Sequence, residues 1–288
     1  MNLAWIQSGQ NRDGGWGYSR GSSSRTEPTA FALLAHVAAN AFSPESFRHG
    51  VEWLRACQRN DGGWAVSPAV NQSTSVTALP LLLPDFCLPD ARRRAAASWL
   101  AVQSGRESFW AARLRAVLVN GKADDYISGD GWPWMPGTAG WVEPTCFAIL
   151  ALSKYLRSQP DKTIQERINS GRTYLLARRC ADGGWNHGAS RALGYDTGSY
   201  PESTGLALAA LIGVRDARID NAVAKALRDA PQTSSVMARN WLTIGLVAHG
   251  QHIEPLPESA SQHGPTVVEA SVAILAEAAR NGRSVLLT

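Results

Sequence analysis

The sequence lacks the features that would place it among membrane-spanning, disulfide-linked or metal-binding proteins. No stretch approaches the ~20 uninterrupted apolar residues that a spanning helix needs. The four cysteines lie far apart without a CxxC pair, which argues against a disulfide framework and against a zinc finger. No Gly-rich phosphate loop, Ser-His-Asp signature or HExxH motif is present. We therefore expect each cysteine to be a small buried apolar residue, and we expect no cofactor.

Charge is also scarce, and this limits the expected partners. Charged residues make up 18% of the 288 residues, hydrophobic residues make up 44%, and the net charge is +4. Because the chain is only mildly basic, we do not expect it to bind nucleic acid, whereas attraction to an anionic lipid surface remains an option. The first ten residues have neither a basic leader nor an apolar core, which predicts a cytoplasmic protein with peripheral membrane contact as an option.

A repeated segment that ends in Asp-Gly-Gly-Trp organises the chain. Its copies read QSGQNRDGGW at 7–16, QRNDGGW at 58–64, RCADGGW at 179–185 and, in degenerate form, SGDGW at 128–132. Glycine accepts positive φ without steric cost, and an Asp side chain can hydrogen-bond the backbone of the turn. Each copy therefore predicts a corner that ends one helix, with the Gln bonded to the turn and the Trp covering it.

Hydrophobic periodicity and turn residues predict an all-α protein. The expected helices span 1–9, 27–40, 44–58, 73–83, 89–103, 107–120, 143–157, 162–179, 202–213, 216–229, 233–249 and 266–281. Those starting near 27, 73, 107, 143, 202 and 233 are the more apolar, so we assign them to an inner ring and the other six to an outer ring. The last outer helix would then pack beside residues 1–9. The prediction is a single α/α-toroid domain over residues 1–288.

The corner units resemble the QW repeats of squalene-hopene cyclase and oxidosqualene cyclase and, more loosely, the repeats of protein prenyltransferase β subunits. The resemblance covers almost the whole chain and implies the toroid. In class II cyclases a DxDD motif at the start of an inner helix supplies the proton that begins cyclisation. Eleven residues after each corner Trp, or seventeen in the last repeat, this chain has Glu27, Ser75, Glu143 and Glu202. The DxDD motif is absent, but three glutamates stand where the family's acid would align.

The zinc pattern of the prenyltransferases is not reproduced. Asp85-Phe86-Cys87 has the family's Asp-x-Cys spacing, but it ends a predicted inner helix instead of starting one. The helix starts at Glu143 and Glu202 offer no His. The resemblance therefore predicts no zinc and no prenyltransferase α-subunit partner, and Mg²⁺ would be needed only for a substrate that carries a diphosphate.

The glutamates have two interpretations. If the inner helices run parallel, Glu27, Glu143 and Glu202 converge at one mouth, where burial would raise their pKa values and the helix N-termini would lower them. They would then be the catalytic acids. Alternatively, the acidic residue and the following Pro simply favour the start of a helix. His187, in the last corner loop, is either a proton relay or an ordinary surface histidine.

Aromatic residues and two arginines complete the predicted site. Aromatic faces attract cations, which suits a reaction through carbocations. We expect a substrate to be lined by Trp110, Trp134, Trp141, Phe147 and Trp241. Arg113 and Arg239 lie in apolar segments and would need a partner, either a glutamate or a substrate phosphate.

Three functions are compatible with this sequence. The favoured one is a terpenoid cyclase-like enzyme that protonates a polyprenyl substrate in an aromatic-lined barrel. The second is a non-catalytic toroid that binds isoprenoids or other lipids, and the third is a protein-interaction scaffold whose barrel centre is filled. The size of the central cavity distinguishes the third from the other two.

Overall fold

A computed structural model of the chain describes residues 3–42, 44–106, 129–188, 191–192, 195–254 and 264–287. The α-helices in these ranges are α1 Leu3–Gln7, α2 Thr26–Ala38, α3 Glu45–Cys57, α4 Ala78–Leu81, α5 Asp90–Ala101, α6 Val142–Ser158, α7 Lys162–Ala177, α8 Pro201–Ala210, α9 Ala217–Asp229, α10 Val236–Ala248 and α11 Val267–Arg280. Short 3₁₀ turns lie at Ser75–Thr77, Asp85–Cys87 and Ala230–Gln232. Two antiparallel hairpins pair β1 (Trp132–Pro133) with β2 (Gly140–Trp141) and β3 (Arg191–Ala192) with β4 (Tyr195–Asp196).

Six helices form a closed inner ring. In order, α2, α4, α6, α8, α10 and α11 each pack against the next, and α11 packs back against α2. The helices α1, α3, α5, α7 and α9 lie outside this ring, each against one or two of its members. The predicted α/α toroid is therefore confirmed.

The predicted membership of the inner ring was wrong at one position. Helix α11 was assigned to the outer ring, but most of its residues are buried and it packs between α10 and α2. The error comes from counting strict inner and outer alternation, because α10 and α11 are inner helices that follow each other in the described chain. The predicted helix at 107–120 lies outside the described residues.

The four corners join α1, α3, α5 and α7 to the inner helices that follow them. The backbone N–H of each corner tryptophan donates to a threonine hydroxyl, and its indole N–H donates to a carbonyl at the end of the preceding outer helix. The hydroxyl bonds measure 2.8–3.0 Å and pair Trp16 with Thr29, Trp64 with Thr77, Trp132 with Thr145 and Trp185 with Thr204. The indole bonds measure 2.6–2.8 Å and end on Ile6, Leu54, Leu100 and Leu175. Because the rings are almost fully buried, these bonds are shielded from water.

The turn residues behave as their chemistry predicts. In the first two copies the amides of Gln10 and Gln58 donate to carbonyls of their turns, at 2.7 and 2.8 Å. The glycines after the aspartates adopt φ of +92° at Gly14 and +91° at Gly62, a conformation that favours glycine over every other residue. Since the bonded threonine lies two residues after Glu27, Glu143 or Glu202, each corner also sets the rotation of its inner helix. The corner thus decides which way the glutamate faces.

Candidate active site

A cavity of about 370 Å³ opens among the first turns of α2, α6, α8, α10 and α11. Its walls are built in two layers, because residues four apart on a helix share a face. The upper layer contains the three glutamates with Met237 and Val268. One turn below each glutamate, and below Met237, the lower layer contains Phe31, Phe147, Leu206 and Trp241. The convergence of Glu27, Glu143 and Glu202 on one cavity agrees with parallel inner helices.

Three aromatic rings form the floor of this cavity. Phe31, Phe147 and Trp241 meet edge to face, with ring centroids 6.0, 6.3 and 5.7 Å apart. All three side chains are buried, so they fill the axis of the toroid beneath the glutamates. The space is therefore a bowl with an acidic rim and an aromatic base. The rings add electron-rich surface where a cation would sit.

The three glutamates differ in their electrostatic surroundings. Burial raises the pKa of Glu143 to about 8, helped by the charges of Glu27 and Glu202. Burial also raises the pKa of Glu27, against the effect of a hydrogen bond from Tyr18. The pKa of Glu202 is raised by burial and lowered by His187. Glu143 consequently keeps its proton at pH 7, although a carboxylic acid in water would be ionised.

Two further residues lie beside the glutamates, of which Tyr18 was not foreseen and His187 was predicted to be either a proton relay or a surface histidine. The Tyr18 hydroxyl donates to Glu27 Oε2, and its backbone carbonyl accepts from the N–H of Val267 at 2.9 Å. His187 lines the rim of the cavity, and its ring lies 5.0 Å from that of Tyr200 and 6.4 Å from that of Trp141. Tyr18 was missed because nothing in its local pattern indicates a partner nine residues away. The lower-layer Phe31 could have been found from its spacing of four after Glu27.

Only some of the predicted lining residues lie at the cavity. Phe147 and Trp241 line the cavity. Trp134 and Trp141 were expected to do so, but they are not among the lining residues. Trp134 follows β1 and Trp141 belongs to β2, and the hairpin leaves 39% and 41% of their surfaces exposed.

The predicted arginine contacts have no support from the cavity lining. Arg239 is partly buried on α10 and is not among the residues that line the cavity. Trp110 and Arg113 lie outside the described residues, and their roles stay predictions. Ser75, which occupies the glutamate position of the second repeat, is buried away from the bowl, with its N–H bonded to the carbonyl of Trp134 at 3.0 Å.

The Asp-x-Cys segment has a structural partner. Asp85 accepts from the buried guanidinium of Arg93 at 2.6 Å, and burial raises the pKa of the Cys87 thiol to about 12. Of the cysteines, Cys87, Cys146 and Cys180 are buried and Cys57 is partly buried. Within the described ranges, no three His, Cys, Asp or Glu residues are arranged to hold a metal ion. The described helices also include none that is long and apolar enough to cross a membrane.

The chain is similar to known proteins in sequence over its first 75 residues and in fold over most of its length. Residues 1–75 match the family model of the squalene-hopene cyclase C-terminal domain. The apo structure of the type II terpene cyclase MstE from Scytonema is 19% identical, with a TM-score of 0.55 over 98% of this chain and 75% of that chain. No curated protein matches the sequence.

Glycosidases share the same architecture. An inactive variant of the alpha-1,6-mannanase GH76A of Salegentibacter sp. HEL1_6, in complex with alpha-1,6-mannotriose, is 9% identical, with a TM-score of 0.64 over 99% of this chain and 98% of that chain. The endoglucanase Cel10 from Klebsiella pneumoniae, a family 8 glycosyl hydrolase, is 14% identical, with a TM-score of 0.62 over 97% and 98%. At these identities, structural likeness shows the fold alone. The first 75 residues are therefore similar in sequence to the squalene-hopene cyclase C-terminal domain, and the described chain has the α/α-toroid fold that these terpene cyclases and glycosidases share.

Proposed function

We propose that this protein is a terpenoid cyclase-like enzyme that binds an isoprenoid in the bowl and protonates it through Glu143. One observation carries the proposal. A carboxyl group whose pKa is raised to about 8 faces a cavity whose base is three aromatic rings. Such a group holds a proton at neutral pH, and the rings lie where positive charge would develop.

The chemistry balances without a cofactor. The Glu143 O–H bond breaks as its proton adds to one alkene carbon, which leaves a carbocation on the substrate and a carboxylate on Glu143. Another double bond of the substrate attacks the cation and closes a ring. Loss of a proton from a neighbouring carbon to a base then restores an alkene, so the product is an isomer of the substrate. Glu27 and Glu202, the other two predicted acids, would favour the cation as carboxylates, and Glu202 is placed to act as the base.

The cavity limits the size of the ligand. Its volume of about 370 Å³ lies near the lower end of the roughly 300–1,000 Å³ that is usual for ligand pockets. The aromatic floor stops a straight chain from passing down the axis. We therefore expect a short isoprenoid to fit within the bowl and a longer one to extend over the rim. Each contact between a cation and an aromatic face would contribute about 0.5–2 kcal/mol.

Two alternatives use the same space. A non-catalytic toroid would hold the same ligand without changing it. A glycosidase would also use a carboxylic acid of raised pKa beside a carboxylate. The cavity lining supports the isoprenoid better, because Phe31, Phe147 and Trp241 form an apolar base. Few lining side chains carry a hydroxyl group that could bond a sugar; Ser203 and Ser235 are examples. The scaffold hypothesis has the least support, since the mouth is open.

The proposed partner is thus a hydrophobic, isoprenoid-like small molecule. The reaction as written needs neither zinc nor a prenyltransferase α subunit, and Mg²⁺ would enter only with a diphosphate. We propose no nucleic-acid partner. Since such ligands partition into membranes, we propose a cytoplasmic protein that meets a membrane peripherally, and the exposed mouth would receive its ligand there.

Protonation leaves a label that tests the proposal. The protein is incubated with geraniol, farnesol or geranylgeraniol in D₂O, and the products are analysed by mass spectrometry. We expect a cyclic isomer that carries one deuterium on carbon, and at least a 100-fold loss of rate in Glu143→Gln. The control is Glu277→Gln, which changes an exposed glutamate of α11 away from the bowl. Undiminished turnover in Glu143→Gln would refute the acid assignment, and binding without any product would favour the non-catalytic toroid.

A further inference from the structure

The residue two positions after each corner tryptophan differs between the repeats, and its type correlates with the surroundings of the glutamate in the same repeat. These positions hold Tyr18, Val66, Trp134 and His187. Tyr18 bonds the glutamate of its own repeat, Glu27, and His187 lines the cavity beside Glu202. Trp134 is turned out of the cavity, and Glu143 accepts no hydrogen bond from any described residue. The second repeat has Val66 and, in place of a glutamate, Ser75.

We propose that the residue two positions after each corner tryptophan sets the protonation of the glutamate in its repeat. Tyr18 and His187 favour the carboxylate forms of Glu27 and Glu202, whereas Trp134 does not do so for Glu143, which carries the proton. Tyr18 is in this sense a positioning residue, because it acts on the acid through Glu27. The consequence for catalysis rests on the proposed function, whereas the position of the proton does not.

The hydrogen bond between Tyr18 and Glu27 is held in place by one corner. Trp16 fixes the start of α2 through Thr29, at 2.9 Å, and so fixes the direction of Glu27. The Trp16 carbonyl accepts from the N–H of Arg25 at 2.9 Å, which closes the loop that contains Tyr18. The Tyr18 ring is 44% exposed, so its hydroxyl can be removed without emptying a packed core.

Asymmetric hydrogen bonding decides where a shared proton resides. Hydrogen bonds to a carboxylate favour the charged form, and a carboxylate nearby disfavours a second charge. Without the Tyr18 hydroxyl, Glu27 would lose this hydrogen bond and resemble Glu143, so the two carboxyl groups would compete for one proton. With it, Glu27 takes the charge and Glu143 keeps the proton.

Other charged groups surround this pair from the neighbouring helices. Glu202 of α8 acts on Glu143, and Glu269 of α11 and His187 act on Glu202. Arg25 acts on Tyr18. These groups influence the pKa values in the bowl, but they are unchanged when only the Tyr18 hydroxyl is removed. A shift in that variant therefore reports on the Tyr18 bond.

The test is a titration of the ligand-free full chain labelled with ¹³C at glutamate carboxyl carbons and followed by NMR. The Glu143 resonance is identified by its loss in Glu143→Gln, and the Glu27 resonance by its loss in Glu27→Gln. In Tyr18→Phe we expect the midpoint of Glu143 to fall and that of Glu27 to rise, each by about one pH unit. In His187→Gln we expect the midpoint of Glu202 to rise. Tyr195→Phe changes an exposed tyrosine of β4 and should shift none of the three.

An unchanged Glu143 midpoint in Tyr18→Phe would overturn the inference, as would an unchanged Glu202 midpoint in His187→Gln. Thermal unfolding of each variant checks that the fold is intact. Failure of the proposed function is a separate result. If the midpoints shift as expected but no isoprenoid is converted, the cyclase proposal fails while the assignment of the proton stands.

Discussion

The two ends of helix α6 place opposite charges in different surroundings. At its start, Glu143 faces an open bowl and accepts no hydrogen bond from the described chain. Near its end, Lys154 donates to the carbonyl of Val285 at 3.0 Å, and Arg157 donates to that of Leu287. Both signs of charge suit the helix dipole. Among the described residues, however, only the acidic end lacks a hydrogen-bond partner. An unpartnered polar group in a cavity indicates a ligand site more strongly than a bonded one does.

The opposite mouth of the toroid is held by contacts within the chain. The carbonyls of Val285 and Leu287 accept from the end of α6, and the side chain of Leu286, between them, is buried. Arg93, only 3% exposed, pairs with Asp85 at the same end and donates to Ser158 at 3.2 Å. The cations of this mouth thus have carbonyl, hydroxyl or carboxylate acceptors. The comparison teaches that buried charged groups are hydrogen-bonded at one mouth, whereas at the other mouth Glu143 has no described hydrogen-bond partner.

The largest expected effect comes from removing the corner that positions the acidic end of α6. In Trp132→Ala, the indole bond to Leu100 is lost along with a fully buried ring, while the backbone N–H that donates to Thr145 remains. We expect unfolding free energy to fall by about 3–5 kcal/mol, measured by urea denaturation. The matched control is Trp134→Ala, two residues away but 39% exposed, where we expect a change below about 1 kcal/mol. Equal losses in the two variants would contradict the role of the corner.

The two ends of α6 should also give stability opposite slopes with pH. The pKa of Glu143 is raised from 4.5 to about 8, so the folded state holds its proton more tightly and stability falls as pH rises from 4.5 to 8. Burial and Arg157 lower the pKa of Lys154 from 10.5 to about 8, so the unfolded state holds that proton more tightly and stability rises between pH 8 and 10.5. After allowance for solvent screening, we expect about 1–3 kcal/mol from each group.

Chemical denaturation from pH 5 to 10.5 measures these slopes, and differences from wild type isolate the two groups. Glu143→Gln should reduce the fall below pH 8, to which Glu27 and Glu202 also contribute, and leave the rise above it. Lys154→Met should do the reverse. If Glu143→Gln leaves the fall intact, then Glu143 is not the group that holds the proton.

The smallest expected effect concerns the aromatic floor. Phe147→Leu keeps an apolar side chain one turn below Glu143 but removes the ring face. If a cation forms there, we expect a rate loss of about 2- to 30-fold, from about 0.5–2 kcal/mol of lost stabilisation. Leu206→Met changes the same layer without an aromatic ring and serves as the control. Equal rates for the wild type and Phe147→Leu would place the cation elsewhere.

Much of the site's framework was predictable from local spacing. The Asp-Gly-Gly-Trp copies predicted four corners, and counting from each tryptophan found Glu27, Glu143 and Glu202, which line one cavity. Phe147 and Trp241 were also identified as candidates. The exclusion of Trp134 and Trp141 could not be predicted, because it depends on the pairing of a two-residue hairpin. Helix α11 was misplaced, because its packing partner α2 begins more than 200 residues earlier in the chain.

The sequence alone determined the repeating corner, the helices that it joins and the helix position of each glutamate. Those features depend on residues close in the chain, whose hydrogen bonds and periodicity can be predicted from the sequence. Tertiary structure decided that α11 closes the inner ring and that Phe31, Phe147 and Trp241 meet beneath the acids. It also decided that Tyr18 bonds Glu27, whereas Glu143 accepts no hydrogen bond from the residues that the structure describes. The reason is physical: burial and the charges of distant helices set the pKa of a carboxyl group, and both exist only once the ring has closed.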